Sequence, residues 1–263
     1  MYKGALFFDC DGTILDEQEQ IYSPTDKTLR TLEKLRANGF VTYLTTGRTK
    51  RLTAGISNYF TGIITSNGAY VESEGKCIHN LYYDDDLQKR LRAYMDDHNI
   101  FYALETQKCS YITKEPNTAF EDVIKLFHMP KSIFTKYDGK SELKINKMSV
   151  YYNTKEELDR FESEFDGEVS IHRYRSCRAV DLDMIGISKG VGVKAVLDYF
   201  NIPKENAYAF GDGGNDLDMF RAVGHPVAMG IHVSELDAVA EFCTKCVKDE
   251  GVTHAICEHY GLV

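Results

Sequence analysis

The sequence predicts an α/β protein: a doubly wound parallel sheet interrupted in mid-chain by a segment of another texture. Three observations predict it. Apolar strands alternate with amphipathic helices at both ends of the chain. The apolar runs there end in loops of Gly, Asp, Thr and Asn, reading DCDGT, TTGR, SNGA and GDGGND. From about residue 82 to about 182, charged helices adjoin strands in which Tyr alternates with polar residues, the pattern of an antiparallel sheet with one wet face.

The elements follow in order. Ala5, Leu6, Phe7 and Phe8 form an opening strand that breaks at the DCDGT loop. SPTDKTLRTLEKLRANG reads as a helix, with Ser23 as N-cap, Pro24 at the first helical position and Gly39 as the stop. Leu29, Leu32 and Leu35 give it one apolar face. FVTYLTTGR is the second strand, a helix is expected over 48–60, and GIITSNGA is a third strand with its turn. EGKC marks a hairpin, and DDDLQKRLRAYMDDH a charged helix. IFYALET and CSYIT pair as strands; a helix near 117–127, NKMSVYYN, the helix TKEELDRFESEF, EVSIH and RAVDLDMI complete an α+β segment. SKGVGVKAVLDYF and AYAFGDGGND then resume the helix–strand alternation. The expected domains are therefore a core of 1–81 with 183–263, and an insertion of 82–182.

Composition narrows the function classes. The 263 residues carry a net charge of −9, with no long block of one sign. A basic surface for nucleic acid or anionic membrane is missing, which leaves small phosphorylated metabolites as partners. There is no basic-then-apolar leader and no apolar run near 18 residues, so a soluble, cytoplasmic protein is expected. The seven cysteines are odd in number and irregularly spaced, which fits a reducing compartment. Cys243 and Cys246 form CTKC, with His254, Cys257 and His259 close by; zinc is one reading, and cysteines filling small apolar spaces is the plainer one.

Ligands of open parallel sheets bind beyond the carboxyl ends of the strands, and all four unusual loops lie at such ends. Each alone reads equally well as a turn; together they offer a phosphate site. Asp9, Asp11, Asp212 and Asp216 are hard oxygen ligands of the kind Mg²⁺ prefers. Gly12, Gly213 and Gly214 let backbone N–H groups approach a ligand. Thr46 offers a hydroxyl, and Lys189 a charge at a helix N-terminus. One carboxylate facing phosphorus can act as nucleophile while its neighbour moves the proton.

FFDCDGTILD, LTTGR, ISKG and GDGGND resemble the four ordered motifs of the haloacid dehalogenase-like superfamily. The SNGA turn and the large insertion between TTGR and ISKG resemble its Cof-type phosphatases. The resemblance implies a Rossmann-like doubly wound core with an inserted α+β cap, and a Mg²⁺-dependent phosphatase working through an aspartyl-phosphate. It implies Asp9 as nucleophile and metal ligand, and Asp11 as general acid/base giving its backbone carbonyl to the metal. Thr46 and Lys189 would hold the phosphoryl oxygens. Asp212 would bind the metal directly, Asp216 would support the metal shell, and Asn215 would lie near the phosphate. Gly47 and Arg48 complete the TTGR turn, Arg48 being either a substrate contact or a structural ion pair; Asn67 and Gly68 would border the substrate entrance. Cys10 departs from the family's usual aliphatic residue, and strand alternation points it away from the metal.

Phosphomutase-type transfer is the alternative enzyme. A phospho-receiver shares the residue types but is shorter and lacks both the DxDGT spacing and the insertion. Hydrolysis of small phosphate monoesters, such as sugar phosphates or phosphorylated cofactors, is preferred. Within the insertion, Tyr82, Tyr83, Tyr102, Tyr111, Tyr151 and Tyr152 either pack or stack on a ligand ring. Arg173, Arg175 and Arg178 either meet an anion or line a strand edge.

Overall fold

A computed structural model describes residues 2–174 and 177–263. The chain divides into two compact units, Met1–Asn80 with Ile187–Val263, and Leu81–Gly186. Among the described residues no helix is long and apolar enough to cross a membrane.

The first unit is built on an eight-stranded sheet. Its strands are β1 (Gly4–Asp9), β2 (Phe40–Thr45), β3 (Gly62–Thr65), β4 (Tyr70–Ser73), β5 (Lys76–Asn80), β12 (Ala207–Gly211), β13 (His225–Ala228) and β14 (Phe242–Cys243). They lie in the order β14-β13-β12-β1-β2-β3-β4-β5, parallel as far as β3 and antiparallel in the closing β3-β4-β5 meander. Alternation along β1 explains why both faces are covered. Leu6, Phe8 and Cys10 pack with Leu32 and Leu35 of α1 (Asp26–Ala37) and with Val252 of α7 (Gly251–His254). Ala5 and Phe7 face Val193 and Val196 of α5 (Lys189–Phe200) and Met219 and Phe220 of α6 (Leu217–Arg221). This is the expected doubly wound class, and Cys10 is buried in the apolar core.

Three local expectations are corrected. The N-cap of α1 is Thr25, not Ser23: Thr25 is extended, and its hydroxyl accepts from the Thr28 amide at 3.1 Å, which leaves Pro24 outside the helix. The stop falls as expected, with Gly39 at φ +87° beyond the Asn38 cap. The helix expected over 48–60 is two single 3₁₀ turns, Lys50–Thr53 and Ser57–Tyr59. β-branched Thr49, Thr53 and Ile56, with Gly55, Ser57 and Asn58 between and after them, are weak helix formers.

The second unit holds a six-stranded sheet. Its strands are β6 (Phe101–Glu105), β7 (Ser110–Ile112), β8 (Phe134–Lys136), β9 (Lys147–Tyr151), β10 (Val169–Arg173) and β11 (Ala179–Met184), in the order β10-β11-β9-β6-β7-β8. Only β7 and β8 run parallel; β8, three residues long, is too short to show a pattern in sequence. α2 (Asp85–Asp97) and α4 (Lys155–Glu164) bury Leu91, Met95, Leu158 and Phe161 on one face. The other face is not simply wet. α3 (Thr118–Leu126) covers Phe101, Ala103, Tyr151 and Ala179 there. Elsewhere in this sheet Lys147 and Asp181 form a buried ion pair at 2.8 Å, joined by the Ser149 hydroxyl at 3.0 Å from Asp181.

Of the singled-out tyrosines, Tyr83, Tyr102 and Tyr151 are buried in these cores, and Tyr82 is exposed. Arg173 pairs with Glu162, and Arg178 with Asp122 and the Asn153 carbonyl. Arg175 lies outside the described residues.

Candidate active site

The carboxyl ends of β1, β2, β3 and β12 bring the predicted residues together. Asp9 is the last residue of β1 and stands in register with Thr45, the last of β2. Thr46 follows, its amide donating to the Ile64 carbonyl on β3 at 2.8 Å. β12 ends at Gly211, and Asp212 and Gly213 lead into the 3₁₀ turn Gly214–Asp216. Across from them α5 begins at Lys189.

Lys189 is the centre of the arrangement. Its ammonium is almost fully buried and donates to Asp9 Oδ1 at 2.5 Å and to Asp216 Oδ1 at 2.7 Å. The other oxygen of Asp216 accepts from the amides of Asp212 at 3.0 Å and Gly213 at 2.9 Å. Asp216 therefore shapes the GDGGND loop with one oxygen and ties it to Lys189 with the other. Two close approaches require glycine. A Cβ on Gly12, which has φ +89°, would stand 2.4 Å from the Asp212 carboxylate, and one on Gly211 would stand 2.5 Å from that of Asp216. The loops after β1 and β12 can converge only without those side-chain atoms.

Carboxyl oxygens of Asp9, Asp212 and Asp216 all lie within 4.8 Å of one another. Three carboxylates and one ammonium leave two negative charges in excess, the charge one divalent cation cancels. Asp212 Oδ1 is buried with no hydrogen-bond partner among the described residues. A buried carboxylate oxygen left without a donor is costly unless a cation takes it. The donor set is all oxygen, which suits Mg²⁺ rather than a soft metal. CTKC, with His254, Cys257 and His259, makes no such group among the described residues; His259 stacks on Phe242 at 3.9 Å between ring centres.

The electrostatics match the crowding. Burial pushes the Asp9 carboxyl well above the ordinary range, the charge of Asp216 adds to that, and Lys189 opposes it only in part. Burial, then Asp216, pushes Asp212 up to about 7. Burial works against the charge on Lys189, but Asp216 and Asp9 reverse the balance and hold it above its usual value.

Both shifted carboxyls bind protons more tightly folded than unfolded, so their contribution to the stability of the metal-free protein falls as pH rises above about 4, for Asp212 through about 7. A divalent ion needs both deprotonated and should relieve the repulsion. Mg²⁺ at about a hundred times its Kd should stabilise by roughly 2.7 kcal/mol, and each kcal/mol raises Tm by about 2–4 °C at this size. We expect the rise in Tm over an EDTA-treated sample to be larger at pH 8 than at pH 5.5. An equal rise at both, or none, would count against the site.

The Asp11 side chain points elsewhere. Arg48 Nε donates to Asp11 Oδ2 at 2.9 Å, and its Nη2 donates both to Asp11 Oδ1 and, at 2.8 Å, to Glu17 Oε1. Of the two readings of Arg48, the structure displays the ion pair. Glu17 carried no signal in the sequence beyond its charge; burial, then the neighbouring Asp11, pushes it up to about 7.

The remaining residues frame this centre. Thr46 Oγ1 accepts from the Arg48 amide at 3.0 Å. Asn67 stands at φ +50° in the Ser66–Gly68 turn; its Oδ1 accepts from Asn215 Nδ2 at 3.2 Å. Gly47 lies so close to Asn67 that a Cβ would come within 2.9 Å of its amide oxygen. Gly68, at φ +103°, packs against the Ser188 carbonyl just before α5, where a Cβ would be 2.0 Å away.

Residues 6–256 match the family model described as haloacid dehalogenase-like hydrolase. The chain is 28% identical to the 5-amino-6-(5-phospho-D-ribitylamino)uracil phosphatase YitU of Bacillus subtilis, covering 98% of this chain and 97% of that protein. It is 30% identical to the putative phosphatase YkrA of the same organism, covering 96% of each. Among solved structures, the subclass IIB sugar phosphatase BT4131 superimposes with a TM-score of 0.84 at 25% identity, over 99% of this chain and 100% of that one.

Proposed function

The chain belongs to the haloacid dehalogenase-like hydrolases and is a phosphatase, and from that premise we propose that it hydrolyses small phosphate monoesters of sugars or sugar-containing cofactors with Mg²⁺, through an aspartyl-phosphate on Asp9. The observation that carries the reading is the buried Asp9–Lys189–Asp216 chain beside a buried Asp212 oxygen that has no hydrogen-bond partner among the described residues. Two relatives, a 5-amino-6-(5-phospho-D-ribitylamino)uracil phosphatase and a sugar phosphatase, support the substrate class. The seven free cysteines fit a cytoplasmic enzyme.

Asp9 and Asp212, with the Asp11 carbonyl, would hold the ion, and Asp216 would keep the loop in shape. Bound there, Mg²⁺ supplies positive charge for the phosphoryl oxygens. The chain's own residues do the rest. Lys189 orients the Asp9 carboxylate, whose free oxygen attacks phosphorus as the ester oxygen departs. Thr46 Oγ1 already accepts from the Arg48 amide, so its O–H can be turned to a phosphoryl oxygen. Asp11 gives the leaving oxygen its proton, then takes one from the water that opens the aspartyl-phosphate.

Phosphate release from a panel of phosphorylated sugars and cofactors, with Mg²⁺ and again with EDTA, tests the reading. No release from any ester, or full activity after exhaustive chelation, would overturn it. Asp11→Asn should lose about 10²–10⁴-fold in kcat on a sugar phosphate. Nitrophenyl phosphate needs little protonation of its leaving group and should lose much less. The same loss on both substrates would remove Asp11 from the role of acid.

A further inference from the structure

We propose that Glu17 is a positioning residue for this reaction: it keeps hold of Arg48 when Asp11 leaves the guanidinium for the leaving oxygen. The inference rests on the reading of Asp11 as the acid. In the structure Asp11 occupies the fork of Arg48 through Nε and Nη2, and that pairing has to be released before the carboxyl can reach a departing oxygen. With no other partner, releasing it would leave the guanidinium, whose side chain is only 24% exposed, without a carboxylate; stripping one partner from a partly buried charge is what makes such pairs hard to open. Glu17 removes that obstacle. It already accepts from Nη2 at 2.8 Å, and its own side chain is only 16% exposed.

Both ends of the contact are fixed, as a positioning role requires. The loop that carries Glu17 is closed by two backbone hydrogen bonds between Asp16 and Ile21, at 2.9 and 2.8 Å. Asp16 Oδ1 caps the amides of Gln18 and Glu19, and Lys248 pairs with Glu19 at 2.6 Å. On the other side, Arg48 is held through its amide by Thr46 Oγ1 and through its carbonyl by the Ser66 amide, both at 3.0 Å. The Asp11 side chain, a third exposed, is the most open of the three.

The test is Glu17→Gln, which keeps the acceptor oxygen and the shape but removes the charge. On a sugar phosphate kcat should fall about tenfold with KM unchanged, a coupling of the size that contacting residues show. On nitrophenyl phosphate the loss should be much smaller. In an Asp11→Asn background, Glu17→Gln should cost nothing further on the sugar phosphate. Glu17→Ala should repeat the pattern, and circular dichroism checks that both variants are folded. An unchanged enzyme, an equal loss on both substrates, or the full loss persisting in the Asp11→Asn background overturns the proposal. If the unaltered enzyme releases phosphate and Asp11→Asn behaves as an acid variant should, such a result removes Glu17 alone; if neither holds, the phosphatase reading itself has failed.

Discussion

Asp9→Asn should abolish turnover, by about 10⁴-fold or more, the scale on which removal of a covalent nucleophile is felt. The substitution is nearly isosteric, so the residue should still pack at the end of β1 opposite Thr45. What it takes away is the second anionic oxygen: an amide neither attacks phosphorus nor balances the ammonium of Lys189. Losing one of the three crowded carboxylates also relieves repulsion with Asp216 and Asp212, so the metal-free variant should unfold at a temperature no lower than the parent does at pH 8. Inactivity without loss of stability is therefore the signature. It should be accompanied by failure to trap radioactive phosphate on the protein in a quenched reaction. Substantial turnover in a clean preparation, or phosphate trapped elsewhere on the chain, would sink the assignment of Asp9.

The parallel half of the fold was legible because its signals are local and repeated. β1, β2, β3 and β12 are short apolar runs ended by Gly- or Asp-containing loops, and such loops sit at one rim of a parallel sheet by topology alone. Lys189 was legible as a charge opening a helix. That it lies between Asp9 and Asp216, on a segment 180 residues from one and 27 from the other, is a tertiary fact that no window of sequence contains. The helix expected over 48–60 failed because polar and apolar residues alternate plausibly there while propensity is weak, so only two single turns form. Glu17 was invisible for another reason. Its partner Arg48 is 31 residues away, and an acidic residue in a loop is by default solvated. The Asp11–Arg48 pairing was half legible, because an arginine beside a carboxylate-rich loop has two readings, an ion pair and a substrate contact, and the ion pair is the one seen here.

Removing the Lys189 charge should damage both stability and activity. Lys189→Met keeps most of the side-chain volume but leaves Asp9, Asp212 and Asp216 without their cation. Breaking a buried ion pair by deleting one partner costs roughly 3–5 kcal/mol, and here one ammonium serves two carboxylates. The loss should depend on pH, and its sign follows from the shifts. Lys189 is held above its usual value in the folded state, so its contribution is fully present at pH 8. Asp9 and Asp212 are already raised, Asp212 to about 7, and without the ammonium both rise further, so proton uptake on lowering the pH to 5 removes much of the repulsion that Lys189 offsets. Urea unfolding in EDTA should therefore show a large deficit for Lys189→Met at pH 8 and a much smaller one at pH 5. Saturating Mg²⁺ should recover part of the stability at pH 8, since it supplies positive charge to the same carboxylates. It should not recover turnover, because nothing then orients the attacking oxygen of Asp9 or meets the phosphoryl group from the α5 side. A deficit of the same size at both pH values would mean that Lys189 contributes by packing, and its place between the two carboxylates would be incidental to the chemistry.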